Sequence, residues 1–179
     1  MLFIAHDGAK KDPIEPGLIQ RDDATPDSAT EFLTFQMWDR DLYETLEHVA
    51  PQNENASWDD DIYEDPKLKD TIGNFVLLPK GQNSSLKDSP WKIKKLFLTA
   101  LLCDSKEERE TLVSTHESTG TPLPRGIRDA IIGKGVSSLV KSHMLDGLQN
   151  VEEWNADYIR KRSERLCRLV WDKLKPWLD

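Results

Sequence analysis

The sequence has few cysteines and no long apolar run. Its 179 residues include two cysteines, Cys103 and Cys167, and no Cys-x-x-Cys pair, which argues against a zinc knuckle and a disulfide scaffold. Both lie in apolar helical patterns, so we expect two buried, reduced thiols. No apolar segment approaches the roughly 20 residues that a membrane helix needs, and Met1–Ile4 is too short for a signal peptide. These absences predict a soluble, cytoplasmic protein with no membrane partner.

Basic side chains are scarce in the first part of the chain. Residues 1–70 hold 18 acidic and 6 basic side chains, a net charge of −12, whereas residues 71–179 hold 14 acidic and 18 basic side chains, a net charge of +4. The chain as a whole carries −8. Because affinity for a polyanion follows the local basic face and not the total charge, a nucleic acid should approach the second part.

The chain divides by pattern into three consecutive parts. Residues 1–43 are a lead-in of loop and short helix, residues 44–103 carry two predicted strands and a helix, and residues 104–179 are helical and should pack on the middle part. Within the middle part, Thr45–Gln52 has the pattern of a strand that a proline stops, and Gly73–Pro79 has that of a second strand. The pattern predicts an α+β fold, mainly helical around one small hairpin.

Helix starts are marked by capping residues. The starts that stand out are Ser28 with Glu31, Ser89 followed by Pro90, and Ser105 with Glu108. The first and last fit the capping box, and the second fits an N-cap followed by proline at the first helical position. Apolar residues at helical spacing predict helices at about residues 90–102, 127–131 and 151–175. Most of residues 5–30 and the acidic segment 53–72 lack such periodicity, and we expect solvated loops there.

A carboxylate beside an imidazole, Glu47-His48, is followed by carboxamides at Asn74 and Asn83. Hydrolysis of a phosphodiester needs an activated water and a cation, because the phosphate is anionic and the alkoxide is a poor leaving group. An imidazole can take up a proton at neutral pH, which makes His48 the candidate general base. Neighbouring strand residues point to opposite faces, so Glu47 and His48 reach one centre only from a distorted strand end.

Taken singly, each of these fragments has an ordinary structural explanation. A Glu-His pair is more often structural than catalytic, and asparagine after Gly73 suits a turn because both residue types tolerate positive φ. Lysines on a helix usually face solvent. The remaining histidines, His6, His116 and His143, have no such neighbours, and we expect them to be structural or surface residues. The argument for function therefore rests on the combination and its spacing.

The combination extends over a wider set of segments. They are Glu-His-Val-Ala-Pro-Gln at 47–52, Trp58, Gly-Asn-Phe-Val-Leu-Leu at 73–78, Asn83, and Pro-Trp-Lys-Ile-Lys-Lys at 90–95. This set resembles the C-terminal HNH-type domain of GmrSD-like restriction endonucleases, a family that includes SspE-type phage-defence proteins. The positions that resemble the closing helix of that domain more weakly are Trp154, Ile159, Arg162 and Leu166. The first segment and the spacing from Asn74 to Asn83 are also similar to the HNH domain of RNA-guided CRISPR nucleases.

The resemblance implies a ββα-metal hairpin, the HNH or His-Me finger nuclease core, within residues 44–103. It implies that His48 is the general base and that Asn74 braces the hairpin and helps to orient His48. It further implies that Glu47 and Asn83 bind one Mg²⁺ or Mn²⁺ ion, which oxygen ligands suit better than zinc. The chain has Asn83 where the commonest HNH form has histidine, and Glu47 where the RNA-guided nucleases have aspartate. Both variants occur in GmrSD-like domains, and they leave the metal affinity open.

The resemblance implies a metal-dependent DNA endonuclease that nicks or cuts DNA. It also implies that the domain is the effector of a prokaryotic anti-phage or modification-dependent restriction system. The alternative is a DNA-binding or protein-interaction module that has lost catalysis. In GmrSD-like proteins the domain follows a ParB-like nucleotidase with an Asp-Gly-Gln-Gln-Arg motif; this motif is absent here, which predicts an excised C-terminal domain. The side chains expected to contact DNA are Lys92, Lys94, Lys95, Arg160, Arg162, Arg165 and Arg168. Arg162 lies near the apolar boundary of its helix, and the alternative for this residue is to brace the active site.

Overall fold

A computed structural model describes most of the chain. The described residues are 1–23, 34, 36, 45–78, 86–132 and 144–178. The capping box predicted at Ser28 with Glu31, the metal ligand predicted at Asn83, and His143 lie outside them. Within the described part the fold mixes helices with two small sheets, so the α+β class is confirmed.

Helices account for most of the regular structure. In chain order they are α1 (Leu2–His6), α2 (Asp61–Glu64), α3 (Trp91–Ala100), α4 (Lys106–Ser118), α5 (Arg125–Ile132) and α6 (Ala156–Leu174). Short 3₁₀ turns lie at Leu68–Asp70, Ile72–Asn74, Leu148–Asn150 and Lys175–Trp177. The three helices predicted from periodicity are therefore confirmed as α3, α5 and α6. None of the helices in the described residues combines the length and apolar character that crossing a bilayer requires.

Two antiparallel hairpins supply the strands. The first pairs β1 (Ala9–Lys11) with β2 (Ile19–Arg21), in a segment for which the sequence predicted mostly loop. The hairpin was not predicted, because three-residue strands are too short to show a period of two. The second pairs β3 (Thr45–His48) with β4 (Phe75–Leu78), as the sequence predicted, although both strands are shorter than expected.

The β3–β4 hairpin is covered on both faces. Val76 and Leu78 point into the main core, whereas Phe75 and Leu77 pack against a smaller cluster around α1, β2 and the second half of α6. The main core is lined by Val49, Trp58, Ile62, Trp91, Phe97, Leu145, Trp154 and Ile159, among others. Each fully buried side chain of this size contributes roughly 1.5–3 kcal/mol. The hairpin is thereby held in place from two sides.

Two helix starts differ in detail from the sequence prediction. Ser105 caps α4 as predicted, because its Oγ accepts the Glu108 N–H at 3.1 Å, while Glu108 reaches back to accept the Asp104 N–H at 2.8 Å. α3 begins at Trp91 and follows Pro90, one residue later than predicted. α6 begins at Ala156 and not near 151, because the Asn155 side chain caps it by accepting the Tyr158 N–H at 2.9 Å.

The cysteines are free, but they are less buried than the helical pattern indicated. Cys103 is partly exposed just after α3, and Cys167 is exposed on α6. The prediction of burial was wrong for Cys103 because α3 ends at Ala100, before this residue, and for Cys167 because one step of helical rotation from the buried Leu166 turns it to the exposed face of α6. Neither residue is placed to take part in the site described below.

Candidate active site

Glu47 and His48 lie on opposite faces of β3. Glu47 is opposite Val76 in the hairpin, and its side chain is buried on the face that α3 covers. His48 is opposite Phe75 and faces the 3₁₀ turn Leu68–Asp70, with 21% of its side chain exposed. The alternation expected of a regular strand thus holds to its last residue.

A lysine from α3 binds the Glu47 carboxylate. Lys94 Nζ donates to Glu47 Oε1 at 2.7 Å and to the His48 carbonyl oxygen at 2.8 Å, and 1% of the Lys94 side chain is exposed. The indole ring of Trp58 lies 6.0 Å from the same ammonium. Burial raises the pKa of Glu47 and lowers the pKa of Lys94, and the attraction between the two charges opposes both shifts. The pair fastens α3 to the end of β3.

An aspartate binds the His48 ring from the other side of the hairpin. His48 Nε2 lies 2.9 Å from Asp70 Oδ1, and the Phe75 ring meets the imidazole edge-on with centroids 4.6 Å apart. Sequence reasoning missed Asp70, because it is one of many acidic residues in a segment read as a solvated loop. The available signal was its position, directly before the turn that leads into Gly73-Asn74.

Asn74 is buried completely and connects the parts of the site. Its Oδ1 accepts the Ala50 N–H at 2.8 Å and the Trp154 Nε1–H at 3.0 Å. Its Nδ2 donates to the carbonyl oxygens of Ala50 at 2.8 Å and Lys69 at 2.7 Å. All four bonds of a carboxamide are therefore used, and none goes to His48. Asn74 ties the chain just after His48 to the residue just before Asp70, so any effect on the His48 ring is indirect.

Arg162 of α6 braces the 3₁₀ turn Ile72–Asn74, which carries Asn74. Its Nη1 donates to the carbonyl oxygens of Gly73 at 2.6 Å and Phe75 at 2.9 Å, and its guanidinium lies 5.5 Å from the Trp154 ring. Burial lowers the pKa of Arg162. α6 approaches Gly73 so closely that an added Cβ would lie 2.2 Å from the Ile159 carbonyl oxygen. Glycine is needed here because a backbone carbonyl occupies the space of a side chain.

The seven basic residues predicted to contact DNA have different surroundings. Lys94 and Arg162 are buried and bind protein groups, so a nucleic acid cannot reach them in this structure and that expectation is corrected. Arg165 is partly buried, donates to Asp12 at 2.7 Å and to the Ile19 carbonyl oxygen at 3.0 Å, and also binds Glu15. Lys92, Arg160 and Arg168 are exposed, and Lys95 is partly exposed, 3.9 Å from Glu152.

The pairing of Arg165 changes the interpretation of the charge asymmetry. The Arg165 hydrogen bond is the largest reason why the pKa of Asp12 falls to about 2. Glu15 binds Lys161 of α6 as well. The acidic first part of the chain therefore binds α6 and neutralises part of its basic surface.

The described residues do not by themselves form a metal site. They contain no group of three or more His, Cys, Asp or Glu side chains that could hold an ion. A protein cation, Lys94, already occupies one oxygen of Glu47, the described member of the implied ligand pair. The carboxylate of Asp70 lies on the other face of the strand with His48. This donor set does not fit a divalent ion without oxygen atoms from elsewhere.

Residues 18–169 match the family described as GmrSD restriction endonucleases, C-terminal domain. The match includes β2, the β3–β4 hairpin, α3 and most of α6, and so contains Glu47, His48, Asp70, Asn74, Lys94 and Arg162. Among curated proteins, none matches the chain.

Proposed function

Since the chain belongs to the family of C-terminal domains of GmrSD restriction endonucleases, we propose that it is a DNA endonuclease domain with His48 as general base. The exposure of His48 supports this assignment. Among the histidines in the described residues, His6 and His116 are buried, whereas 21% of the His48 side chain reaches solvent. A general base has to reach the proton that it removes.

The proposed reaction is hydrolysis of a phosphodiester. His48 takes a proton from a water molecule as the water oxygen attacks phosphorus, and the bond from phosphorus to the 3′ oxygen breaks. The departing 3′ oxygen then takes up a proton from solvent, and His48 releases its proton to solvent. By analogy with HNH nucleases, the products carry 5′-phosphate and 3′-hydroxyl ends.

Metal dependence is a separate proposal. Mg²⁺ or Mn²⁺ would stabilise the charge on the phosphorane and on the leaving oxygen. By resemblance its ligands are Glu47 and Asn83. The buried ion pair with Lys94 argues against Glu47 as a metal ligand in the described geometry.

The ion pair favours a second candidate function. If Lys94 keeps Glu47 from any metal, the domain binds DNA or a protein partner without cutting. For the first candidate, the family resemblance implies an endonuclease of a modification-dependent or anti-phage system that is joined to a ParB-like nucleotidase domain. Catalysis therefore distinguishes the two candidates.

Nicking of supercoiled plasmid by the wild type and by His48→Ala tests the proposal. We expect metal-dependent nicking by the wild type and a loss of roughly 10²- to 10⁴-fold in His48→Ala, with unchanged circular dichroism and DNA affinity. Leu46→Ala, an exposed neighbour on the same strand, is the control and should nick normally. A His48→Ala rate above a tenth of wild type removes His48 from the mechanism.

The same assay over a range of Mg²⁺ concentrations tests the ligands. Glu47→Gln and Asn83→Ala should each raise the metal midpoint, and Glu47→Gln should do so more because a charged ligand is removed. An unchanged midpoint in both variants would mean that the metal binds elsewhere. No nicking by the wild type at any metal concentration would favour the second candidate.

A further inference from the structure

We propose that Asp70 is the positioning residue for His48: it fixes the ring so that Nε2 carries the proton and Nδ1 is the nitrogen that activates water. This inference rests on the proposed function. It starts from the contact of 2.9 Å between His48 Nε2 and Asp70 Oδ1. A carboxylate only accepts hydrogen bonds, so the nitrogen that faces it has to donate. In the neutral ring the lone pair is then on Nδ1.

The turn that carries Asp70 is held at several points. The Asp70 N–H donates to the Lys67 carbonyl oxygen at 3.1 Å, and Asn74 Nδ2 binds the carbonyl oxygen of Lys69. On the other side, Ser163 Oγ of α6 donates to Thr71 Oγ1 at 2.9 Å. The turn is thereby tied to the hairpin and to the closing helix.

The imidazole itself is held against rotation. The Phe75 ring packs edge-on against one side of it, with an angle of 73° between the rings. The backbone of His48 is fixed as well, because its carbonyl oxygen accepts a hydrogen bond from Lys94 Nζ. A ring that is fixed at Nε2 and packed against Phe75 presents Nδ1 in one direction.

The contact has little to do for stability. The Asp70 side chain is 52% exposed, and an exposed polar contact of this kind contributes little to stability. The ammonium of the adjacent Lys69 binds the Gln52 carbonyl oxygen at 2.6 Å instead of the Asp70 carboxylate. The Asp70 carboxylate is thus directed at the ring and not at its neighbouring cation.

Asp70→Ala and Asp70→Asn test the inference, with Asp60→Asn as the control. Asp60 is an exposed residue of the same acidic segment, ten positions before Asp70, so this variant makes the same change in charge. At saturating DNA, Asp70→Ala should lose roughly 10- to 100-fold in single-turnover nicking, by analogy with the loss typical when the hydrogen-bond partner that orients a metal-binding histidine is removed. The DNA dissociation constant should not change. Asp70→Asn should keep part of the rate because its amide oxygen can accept the same N–H, and Asp60→Asn should match the wild type.

Long-range ¹⁵N correlation spectra at a pH where the ring is neutral show which His48 nitrogen carries the proton. We expect Nε2–H in the wild type and in Asp60→Asn, and a shift toward Nδ1–H in Asp70→Ala. Spectra of His48→Ala assign the signals. This measurement needs no activity, so it decides the ring geometry even if the domain does not cut DNA.

Three results would overturn the inference. One is a nicking rate in Asp70→Ala within about twofold of wild type, and another is an unchanged protonation pattern in that variant. The third is recovery of the Asp70→Ala rate at high Mg²⁺, which would make Asp70 a metal ligand. A wild type that does not nick, together with a changed pattern in Asp70→Ala, would refute the proposed function while leaving Asp70 as the residue that orients the ring.

Discussion

At the scale of single residues, Lys94 shows how a buried charge ties the site to the fold. Its ammonium has two hydrogen bonds, to Glu47 and to the His48 carbonyl oxygen, and almost no exposure. Removing one partner of a buried pair leaves an uncompensated charge in the interior, whereas replacing both by neutral groups of similar size is often tolerated. We therefore expect the stability of the fold to depend strongly on the presence of both Lys94 and Glu47.

We predict that Lys94→Met lowers the free energy of unfolding by about 3–5 kcal/mol and that adding Glu47→Gln restores part of the loss. Urea denaturation of the wild type, both single variants and the double variant measures the coupling. Lys106→Met, which removes an exposed pair with Glu110, is the control and should cost less than about 1 kcal/mol. Additive effects of the two substitutions would show that the residues do not interact.

His6 predicts a pH dependence of stability. Burial, and then the charge of Arg162, lowers the pKa of His6 to about 4, although Nδ1 binds the Leu2 carbonyl oxygen at 2.9 Å. Between pH 6.5 and about 4 the unfolded chain binds this proton and the folded chain does not, so stability falls as the pH decreases through that window. The full effect is about 3 kcal/mol, from 1.36 kcal/mol per pKa unit.

Urea unfolding of the wild type and of His6→Gln between pH 7 and 4.5 measures this effect. The variant is expected to be less stable at pH 7, because an imidazole packed in the interior is replaced. The slope of its unfolding free energy against pH should nevertheless be smaller, by the equivalent of about one bound proton, because the variant has no titrating group at that position. Parallel curves for the two proteins would contradict the assignment to His6.

At the scale of secondary-structure elements, the packing of α6 on the turn before β4 sets the geometry of the site. Gly73 leaves room for the α6 backbone, and its N–H donates to Ser163 Oγ at 3.0 Å. A methyl group at this position would meet Ser163 Oγ at 2.3 Å as well as the Ile159 carbonyl oxygen. The backbone oxygen cannot move aside without moving the helix.

We predict that Gly73→Ala lowers the free energy of unfolding by about 1–3 kcal/mol, as overpacking typically does. It should also reduce nicking, because Gly73 lies next to Asn74 and three residues after Asp70. Gly126 of α5 provides the matched control, since nothing lies within 4 Å of an added Cβ there. Gly126→Ala should be neutral or stabilising by up to about 1 kcal/mol. Equal effects of the two substitutions would contradict the close approach.

The elements that the sequence could predict are those marked by local patterns. The α4 cap is visible because Ser105 and Glu108 have a fixed spacing, and α6 is visible from its apolar periodicity. The inward direction of Arg162 was harder to predict, because an arginine at the apolar boundary can turn either way. The role of Lys94 and the contact of Asp70 with His48 depend on residues far apart in the chain, which no local pattern encodes.

At the scale of the whole molecule, charge is balanced between distant segments. Asp12 and Glu15 bind Arg165, so this arginine has little charge left for a phosphate. Lys92 is exposed, and Lys95 lies 3.9 Å from Glu152, whose side chain is 90% exposed. These two lysines of α3 are the better candidates for a DNA contact.

We predict that Lys92→Ala with Lys95→Ala weakens binding to all DNA sequences alike and flattens the salt dependence by roughly 0.9 for each phosphate that the protein no longer neutralises. Arg165→Gln, checked for folding by circular dichroism, should keep the wild-type slope. Fluorescence anisotropy over a range of salt concentrations measures both slopes. A reduced slope in Arg165→Gln alone would place the DNA on α6.

The bonds between residues 1–23 and α6 affect the order in which the chain can fold. α1 and β2 find their apolar partners in Leu166 and Val170, and Asp12 finds Arg165 at a separation of 153 positions. During synthesis the first 23 residues therefore have to remain without these partners until α6 has left the ribosome. Contacts over such separations slow folding, so the early segment is exposed to proteases and chaperones until the closing helix arrives.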